Sequence, residues 1–174
     1  MDEIKFFIAQ GLGVVTVILG FINYQVKTRE QVLAVHLSTT VCFALDYLFL
    51  GAWTGLALNI VGMIRNLVFY ITGKTGKVPR AAAICFSVIM GAAGIATGLI
   101  ANEGWYILLF VVSLVINSYA MSFTNPNNIR KSILITSPLA LAYNGFVMSA
   151  GGMVYEAVAI VSSAIGILRY RKNV

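Results

Sequence analysis

Seven stretches of mostly apolar residues, parted by short connections, constrain this chain more than anything else in it. They cover residues 6–24, 31–50, 52–71, 81–101, 105–123, 132–150 and 152–168. A bilayer core about 30 Å thick is crossed by roughly 20 helical residues, and 17 to 25 are workable. The runs lack the polar alternation of barrel strands, so helices are predicted. Composition agrees: of 174 residues 59% are apolar and only 10% charged, against about 25% charged in a soluble domain. Mean hydropathy is +0.88. Such a chain cannot coat a water-facing surface, which argues against a soluble enzyme, a disordered chain and a nucleic-acid reader. It reads as an all-α integral membrane protein of seven transmembrane helices.

Charge placement sets the expected orientation. Lys and Arg number 12 against 6 Asp plus Glu. Lys27 and Arg29 follow the first run, Lys74, Lys77 and Arg80 the third, Arg130 and Lys131 the fifth, and Arg169, Arg171 and Lys172 the seventh. All lie on one face, leaving Lys5 opposite and Arg65 inside the third run. By the positive-inside rule the N-terminus is outside and the C-terminus cytoplasmic, with Trp53 and Trp105 at the outer interface. The start, Met1-Asp2-Glu3-Ile4-Lys5, lacks the cationic region of a signal peptide, so the first run is expected to remain as a helix. Two or three cations per loop suit the headgroups of membrane lipids rather than nucleic acid. Cys42 and Cys85 fall within apolar runs and read as small buried hydrophobes. No hydrolase, zinc-binding, dithiol or nucleotide-binding motif is present, so neither enzyme chemistry, a metal nor a cofactor is expected.

An odd number of spans invites a parallel repeat of three plus one plus three. Ile22-Asn23 matches Ile116-Asn117 at an offset of 94, and Ala44-Leu45-Asp46-Tyr47 matches Ala140-Leu141-Ala142-Tyr143 at 96. Gly62-Met63-Ile64-Arg65 and Gly166-Ile167-Leu168-Arg169 correspond at 104. Two triple-helix bundles, 1–73 and 105–174, are expected around a linker helix within 74–104. That linker carries Gly91, Gly94 and Gly98, a small-residue stripe that lets a neighbouring helix come close.

The words Gly20-Phe21-Ile22-Asn23-Tyr24-Gln25, Lys27-Thr28-Arg29, Ala44-Leu45-Asp46-Tyr47-Leu48-Phe49-Leu50-Gly51-Ala52-Trp53-Thr54-Gly55 and Asn59-Ile60-Val61-Gly62-Met63-Ile64-Arg65-Asn66 resemble the bacterial inner-membrane YgjV family. The likeness runs over essentially the whole chain and implies the inner membrane as location. More distantly, the layout is similar to the SWEET and PQ-loop transporters, which implies an alternating-access carrier with its site between two triplets. The chain departs from their Pro-Gln signature, with Tyr24-Gln25 at one corner and Asn125-Pro126-Asn127 near the other.

Polar residues inside the spans are costly and so mark candidate sites. Asp46 and Glu156 each lie about 6 Å from the outer end of their runs. If they converge, one carboxyl would hold a proton, since close carboxylates resist joint ionisation. Arg65 lies about 20 Å along the third run, where it either serves a site or snorkels to the cytoplasmic face. Asn59, Asn117 and Asn144 offer donor and acceptor to a neutral solute, or hold helices together. Trp53 is either a solute platform or an interface anchor. His36 reads as interfacial, and Pro138 as a kink that frees a backbone carbonyl. The leading expectation is a carrier of an unknown small polar solute, proton-coupled through Asp46 and Glu156. The alternative is a non-transport scaffold or sensor, and self-association into a homo-oligomer stays open.

Overall fold

A computed structural model describes residues 3–50, 53–75, 78–102, 104–146 and 150–170. They form α1 (Glu3–Gln25), α2 (Arg29–Leu50), α3 (Trp53–Thr75), α4 (Arg80–Ile100), α5 (Ile107–Ala120), α6 (Pro126–Phe146) and α7 (Ala150–Arg169), with no strand among the described residues. Local chemistry sets several of the ends. The Gln31 amide N–H bonds the Thr28 hydroxyl, and the Thr28 N–H bonds the Gln31 side-chain oxygen, both at 3.2 Å. This reciprocal box satisfies free donors at the start of α2. Asn102 takes a left-handed φ of 51° just beyond α4, a conformation asparagine tolerates.

The helices differ from the apolar runs in two places. α6 starts at Pro126, six residues before the apolar run, because proline suits a first helical turn. There the Asn125 side chain accepts the Asn127 N–H at 2.8 Å. Arg130 and Lys131, expected in a loop, are therefore helical. Gly151, expected at a turn, lies inside α7, and the Gly51 turn falls outside the described residues.

The helices close into a ring: each packs on its neighbours in sequence, and α7 returns to α1. Bundled triplets would pack α1 on α3 and α5 on α7, and neither pair is among the substantial contacts. Instead α4 stands as a stave between α3 and α5, and its junction with α3 is the sparsest. The expected close approach of α4 is found on α5, where a Cβ at Gly94 would come within 2.6 Å of Val111. At the α1–α7 seam the Tyr155 ring sits on Gly20 in the same way.

Among the described residues four helices are long and apolar enough to cross a membrane, and two shorter apolar segments lie in α1 and α5. α6 is the exception, because it buries Asn127, Arg130, Ser132, Thr136, Ser137 and Asn144 inside the ring. Outward faces are apolar, with Phe7, Val88, Leu99, Trp105 and Leu168 well exposed. Cys85, expected to be buried, is also exposed. This surface belongs in hydrocarbon rather than water.

Candidate functional site: a polar cavity inside the ring

Residues from all seven helices line a central cavity. It opens about 80 Å³ to the centres of water-sized molecules, where about 10–15 Å³ holds one. Members of two apolar clusters contribute to its lining. One includes Tyr24, Ile133 and Tyr155, and the other Leu58, Met90, Phe110 and Ala140.

The lining repeats along the chain. His36, Thr39, Thr40, Phe43 and Tyr47 of α2 are matched in α6 by Ile133, Thr136, Ser137, Ala140 and Asn144. Leu58 and Asn59 of α3 are matched in α7 by Tyr155 and Glu156. Every pair is separated by 97 residues. The same separation relates two tight contacts, Tyr47 over Gly55 and Asn144 over Gly152. Between α2 and α6 and between α3 and α7, the offsets of 96 and 104 read from short words are therefore replaced by one register. The Gly62 and Gly166 words do not correspond: Gly62 faces Thr40 and Met90, whereas Gly166 lies against the Tyr24 carbonyl and Arg130.

Arg65 is only 2% exposed and lines the cavity. Its Nε and Nη2 both donate to Asn66 Oδ1, at 3.1 and 2.9 Å. Asn66 in turn donates to the Thr40 hydroxyl at 3.3 Å. Arg65 Nη1 has no hydrogen-bond partner, nor do the Oδ1 atoms of Asn117 and Asn144. A buried polar atom left unpaired costs about 1–3 kcal/mol, more when charged, so a native fold needs a reason to keep three on residues that line one cavity. In the second repeat, Ser137 hydrogen-bonds Glu156. Asn23 Nδ2 stands 3.5 Å from His36 Nδ1.

At the end of the ring where α1 and α5 finish, two arginines cross between the repeats. Arg130, 1% exposed, donates to the Tyr24 and Val26 carbonyls at 2.9 and 2.6 Å and to Asn127 Oδ1. Arg29 donates to the Phe123 and Met121 carbonyls at 3.0 and 3.3 Å, and reaches Phe69 O at 3.4 Å. Each start of α2 or α6 thus caps the end of the other repeat's first helix. Those last carbonyls have no helical donor and carry the negative end of the helix dipole, which favours a cation there. Tyr170 adds to the closure, donating from its hydroxyl to Gln25 O at 2.9 Å, with the Arg130 guanidinium 5.0 Å from its ring centre.

A family model described as a bacterial inner membrane protein, Imp-YgjV, matches residues 7–174. The chain belongs to the YgjV family. It is a multi-pass protein of the bacterial inner membrane. No curated protein and no solved structure matches it significantly.

In this YgjV-family protein the cavity gathers five residues singled out in the sequence: Asn59, Arg65, Asn117, Asn144 and Glu156. Two stand apart. Trp53 is 66% exposed and outside the lining, because the first turn of α3 turns it outwards. Asp46 is buried but does not line the cavity, so Glu156 has Asn59 rather than a second carboxylate as its counterpart. Arg65 does not snorkel. Its Asn66 partner, on the same helix, holds it inside. His36, read as interfacial, lines the cavity instead. Tyr24, Thr40, Ser137 and Tyr155 were not singled out; the 97-residue register could have found the last three, and nothing in it points to Tyr24. Among the described residues no group of His, Cys, Asp or Glu is placed to hold a metal ion.

Proposed function

We propose that the protein is a small-solute carrier that alternates access to the central cavity by rocking α1–α3 against α5–α7, with α4 as a passive stave. The observation that carries this reading is a polar cavity lined by corresponding positions of two repeats and holding unpaired polar atoms. A scaffold held together by interhelical polar contacts calls for a dry, satisfied interface at that place. With the basic end placed in the cytoplasm, the Arg29 and Arg130 caps act as the cytoplasmic gate, shut in this conformation. Glu156 is the group placed to couple a proton, since it faces the cavity and bonds a neutral hydroxyl. No enzymatic step is assigned to it.

The test is uptake of a panel of labelled sugars, amino acids, organic acids and nucleosides into proteoliposomes of the purified protein. Saturable uptake of at least one solute is expected, and Ala140→Phe, which fills the cavity from its apolar wall, should abolish it in a protein that still elutes as a folded species. Uptake of nothing across the panel, or full uptake by the filled variant, would refute the carrier. Glu156→Gln should remove the pH dependence of uptake while Asp46→Asn keeps it, and pH dependence that survives in both ends the coupling role.

A further inference from the structure

Two buried arginines in this ring are treated very differently. Arg130 spends Nε and both terminal nitrogens on two carbonyls and an amide oxygen. Arg65 spends Nε and one terminal nitrogen on the single neutral oxygen of Asn66, and the other terminal nitrogen on nothing. A guanidinium withdrawn from water needs a counter-charge or a full set of acceptors. The fold supplies the full set at Arg130 and withholds it at Arg65, at a position that lines the cavity.

Among the described residues no carboxylate fills the gap. No carboxylate is among the hydrogen-bond partners of Arg65. Glu156 is bonded to Ser137, and Asp46 lies off the lining. Along α3, Arg65 lies six residues beyond Asn59, the counterpart of Glu156, or about 9 Å along the axis. The cavity is therefore polarised, with a cation towards the gated end and a carboxylate and amide towards the other.

We propose that the cavity binds a small monocarboxylate whose charged end pairs with Arg65 and whose far end carries a hydrogen-bond donor facing Asn59 and Glu156. A guanidinium presents parallel donors that match the two oxygens of a carboxylate. One cation, with Glu156 sharing the space, disfavours a dianion such as phosphate. The Tyr24, Phe43 and Tyr155 rings line the same cavity, whose volume of about 80 Å³ to the centres of water-sized molecules suits a short solute. The inference rests on the reading of the cavity as a solute site and names its ligand class.

The experiment measures the unfolding midpoint of the full chain in detergent, with 4-hydroxybutanoate, 4-aminobutanoate, neutral 1,4-butanediol or inorganic phosphate at matched concentration and ionic strength. A ligand that binds only the folded state raises the midpoint. A rise of several degrees is expected with either carboxylate and none with the diol or phosphate. The deciding variant is Asn66→Asp, which keeps the shape of the residue and gives Arg65 an internal carboxylate. Its ligand-free midpoint should hold or rise, and its response to the carboxylates should vanish. Arg65→Lys, which keeps the charge but loses the paired donors, should weaken the response at least tenfold in concentration.

A diol response equal to that of the carboxylates would overturn the anion and leave the carrier standing. A response to phosphate alone would overturn the monocarboxylate. No response to any probe, or an undiminished carboxylate response in Asn66→Asp, would overturn the inference. Uptake in proteoliposomes decides the carrier separately.

Discussion

At the scale of single residues, the sequence marks which side chains are expensive but not what relieves them. Arg130 and Arg65 are each one cation in a mostly apolar chain, and by sequence the first belonged to a loop and the second to a span. In the folded ring both are buried, and their partners decide their roles. Removing the fork of Arg130 should be costly, because two helix-end carbonyls lose their donors. Arg130→Lys is expected to destabilise the protein by about 1–3 kcal/mol, read as a lower unfolding midpoint in detergent. An unchanged midpoint would mean that the caps contribute nothing. The partners of Arg130 were not legible, since Tyr24 and Val26 lie over a hundred residues away and offer backbone oxygens, which no side-chain pattern records.

At the scale of elements, the small residues of α4 were legible as a packing face because glycine spacing on a helix is periodic and local. Which helix they meet was not. Two glycine substitutions separate packing from propensity. Gly94→Val forces a methyl against Val111, at a place where a Cβ alone would lie 2.6 Å away, and overpacking of this kind costs about 1–3 kcal/mol. Gly11→Ala meets nothing within 4 Å and should be neutral or stabilising by up to about 1 kcal/mol, since alanine is the better helix former. Equal midpoints for the two variants would refute the tight α4–α5 contact. α6 teaches the converse lesson. Its polar residues lower its apolarity below that of a membrane span, yet they are buried because the ring encloses them.

At the scale of the whole molecule, the ring has one sparse junction, between α3 and α4, and one cross-linked seam, between α1 and α7. At that seam Ser162 donates to Phe21 O at 2.7 Å and Gln25 to Ser162 O at 2.9 Å. Severing the chain between residues 76 and 77 should therefore leave halves that associate. Co-expressed in one membrane, a tagged 1–76 fragment is expected to recover 77–174 on purification. The combined Arg29→Ala and Arg130→Ala changes should sharply lower that recovery. Halves that never co-purify would show that the seam and the caps do not hold the repeats together.

What the sequence determined by itself was the medium and the material: long apolar runs can only be helices in a bilayer, because every backbone polar group must be satisfied within the segment. It also suggested that the chain repeats, and marked which polar residues are costly to place inside a span. Only the tertiary structure decided the 97-residue register, the closed ring, and the separation of Asp46 and Trp53 from the cavity. Register is set by side chains facing a shared space, and short apolar words match at several offsets with equal ease. The fates of the two arginines depend on which distant carbonyls and amides reach them, which only the closed ring determines.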